Sequence, residues 1–368
     1  MQTGKRLKNV GINRNAKIYV AGHTGMVGSA IVRLLKKEGF SNLILKTHSE
    51  LDLINQTSVR EFFEYYEPEY VFLCAGKVGG INANNILRAQ FIYENIIIQN
   101  NVIHYAHSRG VKKLIFTSSS CVYPTSCPQP MKEEYLLTGP LEPTNEPYAI
   151  AKIAGMKMCE SYYYQYGHHF FSIIPTNSFG PNDNYDFDDS HVMAAIIRKV
   201  LLARLLEEKK YNKIRKNLEI FPISSNVTWD PNWTDADVLG VLEKFGIKLD
   251  ENKNVTLTLW GTGKPLREFI YVDDIASAAL FIMKYDIDSL YANGNSHLNV
   301  GTGEEISIFD LANTIASEFQ FEGEILFDSS KPDGMQKKCM DISRLNKLGW
   351  NSIINLRQGI KGILINGY

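Results

Sequence analysis

Short apolar runs alternate with stretches of helical character along the first half of the chain. Five runs have the length and composition of buried strands: 17–21, 43–45, 70–75, 113–117 and 170–175. Helices are predicted between them, at 58–66, at 91–110 and from Tyr148 onward. Strands that alternate with helices form parallel sheets covered on both faces. The pattern therefore predicts an α/β fold built on a doubly wound parallel sheet.

A glycine turn follows the first predicted strand. Gly22, Gly25 and Gly28 have the spacing G-x-x-G-x-x-G and lie between that strand and a helix. Glycines at such a turn let the backbone approach a pyrophosphate, which then lies at a helix N-terminus. A tight turn without a ligand is the alternative, but the strand–turn–helix context favours a Rossmann-type dinucleotide site.

The end of the second predicted strand indicates which dinucleotide is bound. Rossmann proteins that bind NAD have an acid here for the ribose hydroxyls. This chain has Lys46, Thr47 and His48 instead, which favours a ribose 2′-phosphate and hence NADP. The alternative is a solvated Lys46 and His48. Asp52 follows later and is placed to cap the adenine.

Tyr148 and Lys152 lie four residues apart at the start of the predicted helix, so they share one face. Pro143 and Pro147 are expected to keep the approach extended. A neighbouring cation favours the ionised phenol, which would let Tyr148 exchange protons near neutral pH. The spacing is common by chance, and a surface tyrosine beside a solvated lysine is the alternative.

Other polar residues follow later strands. Ser119 and Cys121 come directly after the run at 113–117, in position to meet a substrate, although a serine-rich turn that satisfies its own backbone is the alternative. His191 opens another helix, where a lone histidine is usually a surface or cap residue. Arg267 follows a glycine turn within 257–274, which we expect to pair two strands; arginine suits bidentate phosphate recognition.

The alternation of strands and helices stops in the loop at 176–181, which suggests two lobes. We expect a loose N-terminal extension at 1–16 and a nucleotide-binding domain at 17–180, completed by segments around 268–303. Residues 181–267 and 304–368 would form a smaller α/β lobe. Within it, 205–255 is less regular and is expected to be an extra surface subdomain, with one helix capped by Thr234 or Asp235.

Bulk properties exclude several classes of function. The chain of 368 residues has 39 Lys and Arg against 40 Asp and Glu, a net charge of −1, which predicts no nucleic-acid or membrane-surface partner. Its five cysteines lack C-x-x-C spacing, so neither a disulfide framework nor a metal site is expected. No run has the length and apolarity of a signal peptide or membrane span. We expect a cytoplasmic protein.

Together these motifs resemble the extended short-chain dehydrogenase/reductases. The match is closer with the GDP-L-fucose synthase family, in which similar motifs occur in the same order: AGHTGMVGSAI, KVGGI, SSSCVYP, PLEPTNEPYAIAKIAG, PTNSFGPNDN, SHV, WGTGKPLREFIYVDD, NVGTGEEISI and SKPDG. The resemblance runs from about Lys17 to the C-terminal helix. It implies NADPH-dependent 3,5-epimerisation and carbon-4 reduction of GDP-4-keto-6-deoxy-D-mannose, and a homodimer.

The resemblance also implies roles for individual residues. Tyr148 would protonate the alkoxide, Lys152 would lower its pKa, Ser119 would bind the carbonyl, and Cys121 and His191 would be the acid–base pair of epimerisation. The implied cofactor contacts are Gly22, Thr24, Gly25, Met26, Val27, Gly28, Lys46, His48, Asp52, Ala75, Gly76, Tyr148, Lys152, Pro175 and Asn177. The implied substrate contacts are Asn177, His191, Lys199, Trp260, Arg267 and Lys331.

Four departures from the family pattern concern the cofactor and the sugar. Thr24 and His48 stand where the family often has arginines, and Phe179 and Ala194 stand where tyrosine and proline are usual. One alternative is a carbon-4 reductase of a related GDP-4-keto-6-deoxy-heptose, with or without epimerase activity. A non-catalytic nucleotide-binding module is a further alternative, against which the intact set of reactive residues argues.

Overall fold

The structure is a computed structural model that describes residues 11–224, 226–331 and 333–365. Most of the predicted N-terminal extension, Pro332 of the SKPDG motif and the last three residues of the second lobe lie outside the described residues.

Strands and helices follow the alternation expected for the first half of the chain. The strands are β1 Ile18–Ala21, β2 Leu43–Ile44, β3 Tyr70–Leu73, β4 Lys113–Thr117, β5 His169–Pro175, β6 Asn177–Phe179, β7 Ile247–Leu249, β8 Val255–Trp260, β9 Leu266–Tyr271, β10 His297–Val300, β11 Glu305–Ser307, β12 Glu324–Asp328 and β13 Lys337–Lys338. The helices are α1 Met26–Lys37, α2 Gln56–Tyr66, α3 Ile81–Ile86, α4 Arg88–Ser108, α5 Glu146–Tyr166, α6 Val192–Glu207, α7 Tyr211–Ile220, α8 Asp235–Lys244, α9 Val272–Met283, α10 Ile287–Ala292, α11 Ile308–Phe319, α12 Ser343–Lys347 and α13 Leu356–Ile365.

Six described strands form a parallel sheet in the order β10-β5-β4-β3-β1-β2. One apolar cluster packs α1 and α9 against one face, and another packs α2, α4 and α5 against the other. Strands covered on both faces must be apolar throughout, which explains the continuous runs in the sequence. The predicted doubly wound sheet is confirmed. Its order reverses between β1 and β3, and such sheets bind ligands at the carboxyl ends beside that point.

Two smaller sheets lie outside this one. In the first, β9 pairs with β11, β13 and β6; in the second, β8 pairs with β7 and β12. The expectation that the segment 257–274 pairs its own two strands is wrong. Gly261 and Gly263 both have positive φ (85° and 74°), and the side chain of Thr262 between them binds Asp333, so the turn leads β9 away from β8.

The loop expected at 176–181 is also partly wrong, because Asn177–Phe179 is the strand β6. It pairs in parallel with β9, and Asn177 lies opposite Phe269. Three residues are too few for a periodic signal, and the partner strand lies far along the chain. The polypeptide therefore passes directly from the large sheet into the smaller sheet around β9 at this point.

The inserted segment 205–255 contributes α7, α8 and β7. Of the two predicted caps, Thr234 is the one that caps α8. Its hydroxyl accepts a hydrogen bond from the N–H of Asp237 in a capping box. Ile214, Val238 and Leu242 are buried in the same apolar cluster as α6 and α11. The segment is therefore part of the core of the lobe and not a separate surface subdomain.

No helix among the described residues is both long and apolar enough to cross a lipid bilayer. The same residues contain no cluster of three or more side chains suited to holding a metal ion.

Candidate active site

Tyr148 and Lys152 lie in the first turns of α5, against the carboxyl end of β4. The helix begins at Glu146, two residues earlier than predicted, with Pro147 inside its first turn. Proline is tolerated there because an N–H in the first turn has no intrahelical partner. Lys152 Nζ lies 5.7 Å from the centre of the Tyr148 ring and donates a 3.0 Å hydrogen bond to the carbonyl of Thr117. The last residue of β4 thus anchors the ammonium.

The pKa values of this pair differ from the expectation. Loss of solvation raises the pKa of Tyr148, and Cys121 raises it further. Burial lowers the pKa of Lys152 to about 8. The expected lowering of the pKa of Tyr148 by Lys152 is therefore not found, because burial disfavours the charged phenolate. A phenol that stays protonated at neutral pH is suited to donate a proton.

Ser119 and Cys121 follow β4 and lie beside this pair. A single 3-10 turn at Ser120–Val122 buries the Cys121 side chain. Burial raises the pKa of the thiol, while Lys338, a hydrogen bond with Ser119 and the charge of Lys152 act in the opposite direction. The structure therefore brings Ser119, Cys121, Tyr148 and Lys152 together at the end of one strand.

His191 immediately precedes α6. The residue as a whole keeps an exposed surface. The imidazole nevertheless has enough protein around it that loss of solvation lowers its pKa. Lys338 lowers the pKa further and Asp189 raises it. Since Lys338 acts electrostatically on both Cys121 and His191, the thiol and the imidazole belong to one site.

Lys338 is a residue of this site that the sequence did not indicate. It belongs to the two-residue strand β13 and lies opposite Arg267 of β9. Burial lowers the pKa of Lys338, the thiol of Cys121 raises it, and Arg267 lowers it. A two-residue strand carries no periodic pattern, so only the pairing with β9 identifies the position.

The glycine turn fits a bound dinucleotide. A side chain at Gly22 would come within 2.8 Å of the backbone nitrogen of Ala75, and one at Gly28 within 2.1 Å of the carbonyl oxygen of Gly22. Gly22 has φ of 81°, and Gly25, which precedes α1, has no side-chain cap. The buried Nδ1 of His23 has no hydrogen-bond partner among the described residues. Bare backbone and an uncapped helix start are what a pyrophosphate needs.

The remaining predicted cofactor residues lie around this turn or at strand ends. Thr24 belongs to the turn, and Met26 and Val27 open α1. Ala75 follows β3, and Pro175 ends β5. Gly76 lies close to Lys152: a side chain there would be 3.5 Å from the ammonium. Further on, Asn177 donates to the carbonyl of Glu268.

The end of β2 carries Lys46, Thr47 and His48 and no acid, but two carboxylates further along the chain lie near the basic side chains. The chain turns back so that Glu50 accepts hydrogen bonds from the N–H and hydroxyl of Thr47. Lys46 Nζ then lies 3.7 Å from Glu50 Oε1. His48 Nδ1 lies 3.8 Å from Asp52 Oδ1. Both basic groups thus face carboxylates, which sequence spacing alone did not reveal.

The predicted substrate residues form an inner and an outer group. Arg267 lies with Lys338 near Cys121, and Lys199 lies on α6, where burial lowers its pKa to about 8. Farther out, Lys331 Nζ lies 5.6 Å from the ring centre of Trp260, which is 71% exposed. Asp333 accepts a hydrogen bond from the hydroxyl of Thr262, and its charge opposes the lowering of the pKa of Arg267 by burial.

Comparisons with known proteins agree with this geometry. The model of the NAD dependent epimerase/dehydratase family matches residues 18–217 and 231–301. GDP-L-fucose synthase 1 of Arabidopsis thaliana is 44% identical over 349 residues, which cover 95% of this chain and 92% of that protein. GDP-L-fucose synthase of Escherichia coli (strain K12) is 42% identical over 347 residues, 94% of each chain.

Among solved structures, a GDP-D-glycero-L-gluco-heptose synthase from Campylobacter jejuni, determined in the presence of NADPH, superposes with a TM-score of 0.87. It is 40% identical in sequence, and the match covers 96% of this chain and 99% of that one. The resemblance noted in the sequence is confirmed. The chain belongs to the NAD dependent epimerase/dehydratase family and, within it, to the branch that contains the GDP-L-fucose synthases.

Proposed function

We propose that this protein is an NADPH-dependent 3,5-epimerase and 4-reductase that converts GDP-4-keto-6-deoxy-D-mannose to GDP-L-fucose. The observation that carries the proposal is that Cys121 and the Tyr148–Lys152 pair lie together at the carboxyl end of β4. The charge of Lys338 on both Cys121 and His191 supports the inclusion of the imidazole. An acid–base pair and a separate proton donor in one cleft suit two kinds of proton transfer to one sugar. The identity to GDP-L-fucose synthases supports the substrate.

Epimerisation requires that a proton leave the carbon next to the ketone and return from the opposite face. When the C–H bond breaks, its electrons move to the ketone oxygen; when a proton is added on the other face, the bond re-forms with inverted configuration. The pair needs one member that holds a proton and one that can accept it. Burial keeps Cys121 protonated and His191 neutral at pH 7, which meets this need.

Reduction then fixes the new configuration. The glycine turn, Lys46 and Lys152 would hold NADPH, which would supply the hydride for carbon 4. The hydroxyl of Ser119 donates to the carbonyl oxygen, where negative charge develops. Tyr148 delivers the proton to that oxygen, and the charge of Lys152 favours the phenolate left behind.

Carbon-4 reduction of a GDP-4-keto-6-deoxy-heptose is a second candidate function. The similarity to the Campylobacter jejuni heptose synthase, at a TM-score of 0.87, favours it. A heptose differs from the hexose only at the exocyclic carbon, so the same reactive residues serve both substrates. Cys121 and His191 would then epimerise weakly or not at all.

Product analysis with both substrates decides between the two. The purified protein is incubated with NADPH and either GDP-4-keto-6-deoxymannose or its heptose homologue, in deuterated water, and each product is identified by NMR. We expect GDP-L-fucose with deuterium at carbons 3 and 5. Turnover of the heptose alone, or a reduced hexose without inversion, would contradict the proposal.

We also propose two lobes, a nucleotide-binding domain of 17–180 with 268–303 and a substrate lobe from the rest, acting as a homodimer in the cytoplasm. Tyr93 of α4 and Ile150, Tyr164 and Tyr166 of α5 are large apolar residues left exposed, which supports a dimer through these helices. The five cysteines are all free, which supports a reducing compartment. Sedimentation equilibrium tests the dimer; a monomer at micromolar concentration would contradict it.

A further inference from the structure

The loop 181–190 delivers His191 to the site, and its own hydrogen bonds give it a fixed shape. The carboxylate of Asp186 accepts from the N–H groups of Asp188 and Asp189, at 2.7 and 3.0 Å. Asp189 in turn accepts twice from the N–H of Gly80, through its carboxylate at 2.8 Å and its carbonyl at 3.0 Å. One side of the loop is thus fixed to the segment that follows β3.

Arg198 holds the other side of this loop. It lies on α6 seven residues after His191, which is two helical turns along the same face. Its side chain is fully buried. One guanidinium nitrogen, Nη1, donates to the carbonyl of Tyr185 at 2.6 Å. The guanidinium carbon lies 4.1 Å from the centre of the Phe187 ring. Both contacts are with residues of the loop.

The same guanidinium binds the inserted segment. It donates to the side-chain oxygen of Asn217 at 3.0 Å and to the carbonyls of Phe221 and Pro222 at 3.2 and 2.5 Å. Phe187 adds to the connection, because its ring stacks on Phe245 of the insertion with centres 4.2 Å apart. One buried side chain therefore joins α6, the loop before it and the insertion.

We propose that Arg198 is a positioning residue for His191, and that the insertion at 205–255 serves as the fixed support against which Arg198 holds the His191 loop. The proposal rests on the proposed function in that it takes His191 to be an epimerisation residue. A planar guanidinium offers five donors in a fixed arrangement, which suits simultaneous bonds to the loop and the insertion. A lysine ammonium at this position keeps the charge and loses that geometry.

The test is the variant Arg198→Lys, measured in deuterated water with NADPH and GDP-4-keto-6-deoxymannose. We expect deuterium incorporation at carbons 3 and 5 to fall by about 10²-fold, because misplacement of a reacting group by an ångström has that effect. NADPH affinity and reduction without inversion should be retained. The control is Arg204→Lys on the same helix, where the arginine pairs with Glu208 at 3.2 Å, one turn along α6. It should behave as the wild type.

Equal losses of exchange, reduction and NADPH binding in Arg198→Lys would show a merely structural role and overturn the proposal, as would normal exchange. If Arg198→Lys does not fold, Phe187→Leu removes the ring contact and leaves the hydrogen bonds; it should show the same selective loss of exchange. Unchanged exchange in that variant would equally overturn the proposal.

A second measurement is independent of the substrate. NMR titration of His191 in the free enzyme gives the pKa of its imidazole, which burial and then Lys338 lower and Asp189 raises. A loosened loop should raise this pKa towards its ordinary value in Arg198→Lys and not in Arg204→Lys. An unchanged value in Arg198→Lys would overturn the proposal. Lack of turnover by the wild type with the hexose would instead speak against the proposed function and leave this titration decisive.

Discussion

The protonation state of Tyr148 decides whether its phenol can donate a proton. Its raised pKa keeps the phenol protonated throughout the neutral range, so deprotonation of Tyr148 does not limit the reaction there. Lys152, with a pKa lowered to about 8, loses its charge as the pH rises past that value. The reduction rate should therefore fall on the alkaline side through Lys152 and not through the tyrosine.

Replacement of Tyr148 by phenylalanine tests the role of the phenol. We expect Tyr148→Phe to slow NADPH oxidation by about 10²–10⁴-fold, the usual contribution of a positioned proton donor. NADPH binding, followed by fluorescence titration, should change little, because the ring and Lys152 remain. Deuterium exchange at carbons 3 and 5 should continue. Full turnover by the variant would refute the assignment.

Lys338 should control the reactivity of Cys121. Its ammonium lowers the pKa of the thiol, so Lys338→Gln should raise that pKa and reduce the thiolate fraction at any given pH. Alkylation of Cys121 by iodoacetamide at pH 8, quantified by mass spectrometry, should become slower. Lys337→Gln is the control, since that ammonium binds Glu305 at the surface. Equal rates in wild type and Lys338→Gln would contradict the interpretation.

Among the structural elements, the turn between β1 and α1 leaves little room for a larger residue in place of its glycines. A side chain at Gly28 would meet the carbonyl oxygen of Gly22 at 2.1 Å, and backbone cannot yield as a flexible side chain does. Gly28→Ala should lower the melting temperature and weaken NADPH binding by about tenfold or more, a loss of about 1.4 kcal/mol. Calorimetry of the binding measures both the affinity and the active fraction.

Gly240 of α8 provides a matched control for that substitution. Among the described residues, no atom outside its own stretch of helix lies within 4 Å of the position that a side chain would take there. Gly240→Ala should therefore raise the stability by about 0.5–1 kcal/mol, since alanine loses less conformational freedom in a helix than glycine does. If Gly240→Ala were destabilised, the loss in Gly28→Ala could not be assigned to the lack of room for a side chain at position 28.

Strands and helices could be predicted where the sequence of the segment itself shows the pattern of apolar residues. The runs that became β1, β3, β4 and β5 are apolar because both faces of the sheet are covered. The pairing of β9 with β6 and β13 was not predictable, because those partners are two or three residues long and lie far away in the chain. The prediction of a lowered pKa for Tyr148 was wrong for a related reason. The spacing in the sequence places Lys152 beside the phenol, but the burial that raises the pKa depends on the whole fold.

In the molecule as a whole, Glu268 joins segments from distant parts of the chain. Its fully buried carboxylate accepts from the N–H groups of Thr302 and Gly303 with one oxygen and from Met340 N–H with the other, at 2.6, 2.8 and 2.7 Å. Its neighbour in the chain is Arg267. The same carboxylate therefore fixes β13, with Lys338, relative to the turn after β10.

The loss of one acceptor oxygen at Glu268 should destabilise the fold. In Glu268→Gln, an amide NH₂ would face a backbone N–H, so one donor is left unsatisfied at a cost of about 1–3 kcal/mol. We expect a lower melting temperature in thermal unfolding followed by circular dichroism. The exposed Glu304→Gln variant serves as the control and should unfold like the wild type. Equal melting temperatures for all three proteins would contradict this role.

The position of β10 late in the chain has a consequence for the synthesis of the protein. This strand completes the large sheet by pairing with β5, yet it lies at His297–Val300, more than a hundred residues after β5 ends. During translation the buried, apolar β5 must remain an unpaired edge until the ribosome has released that segment. Such edges recruit other strands. The nascent chain therefore passes through an interval in which the edge of β5 is open to pairing with a strand of another chain.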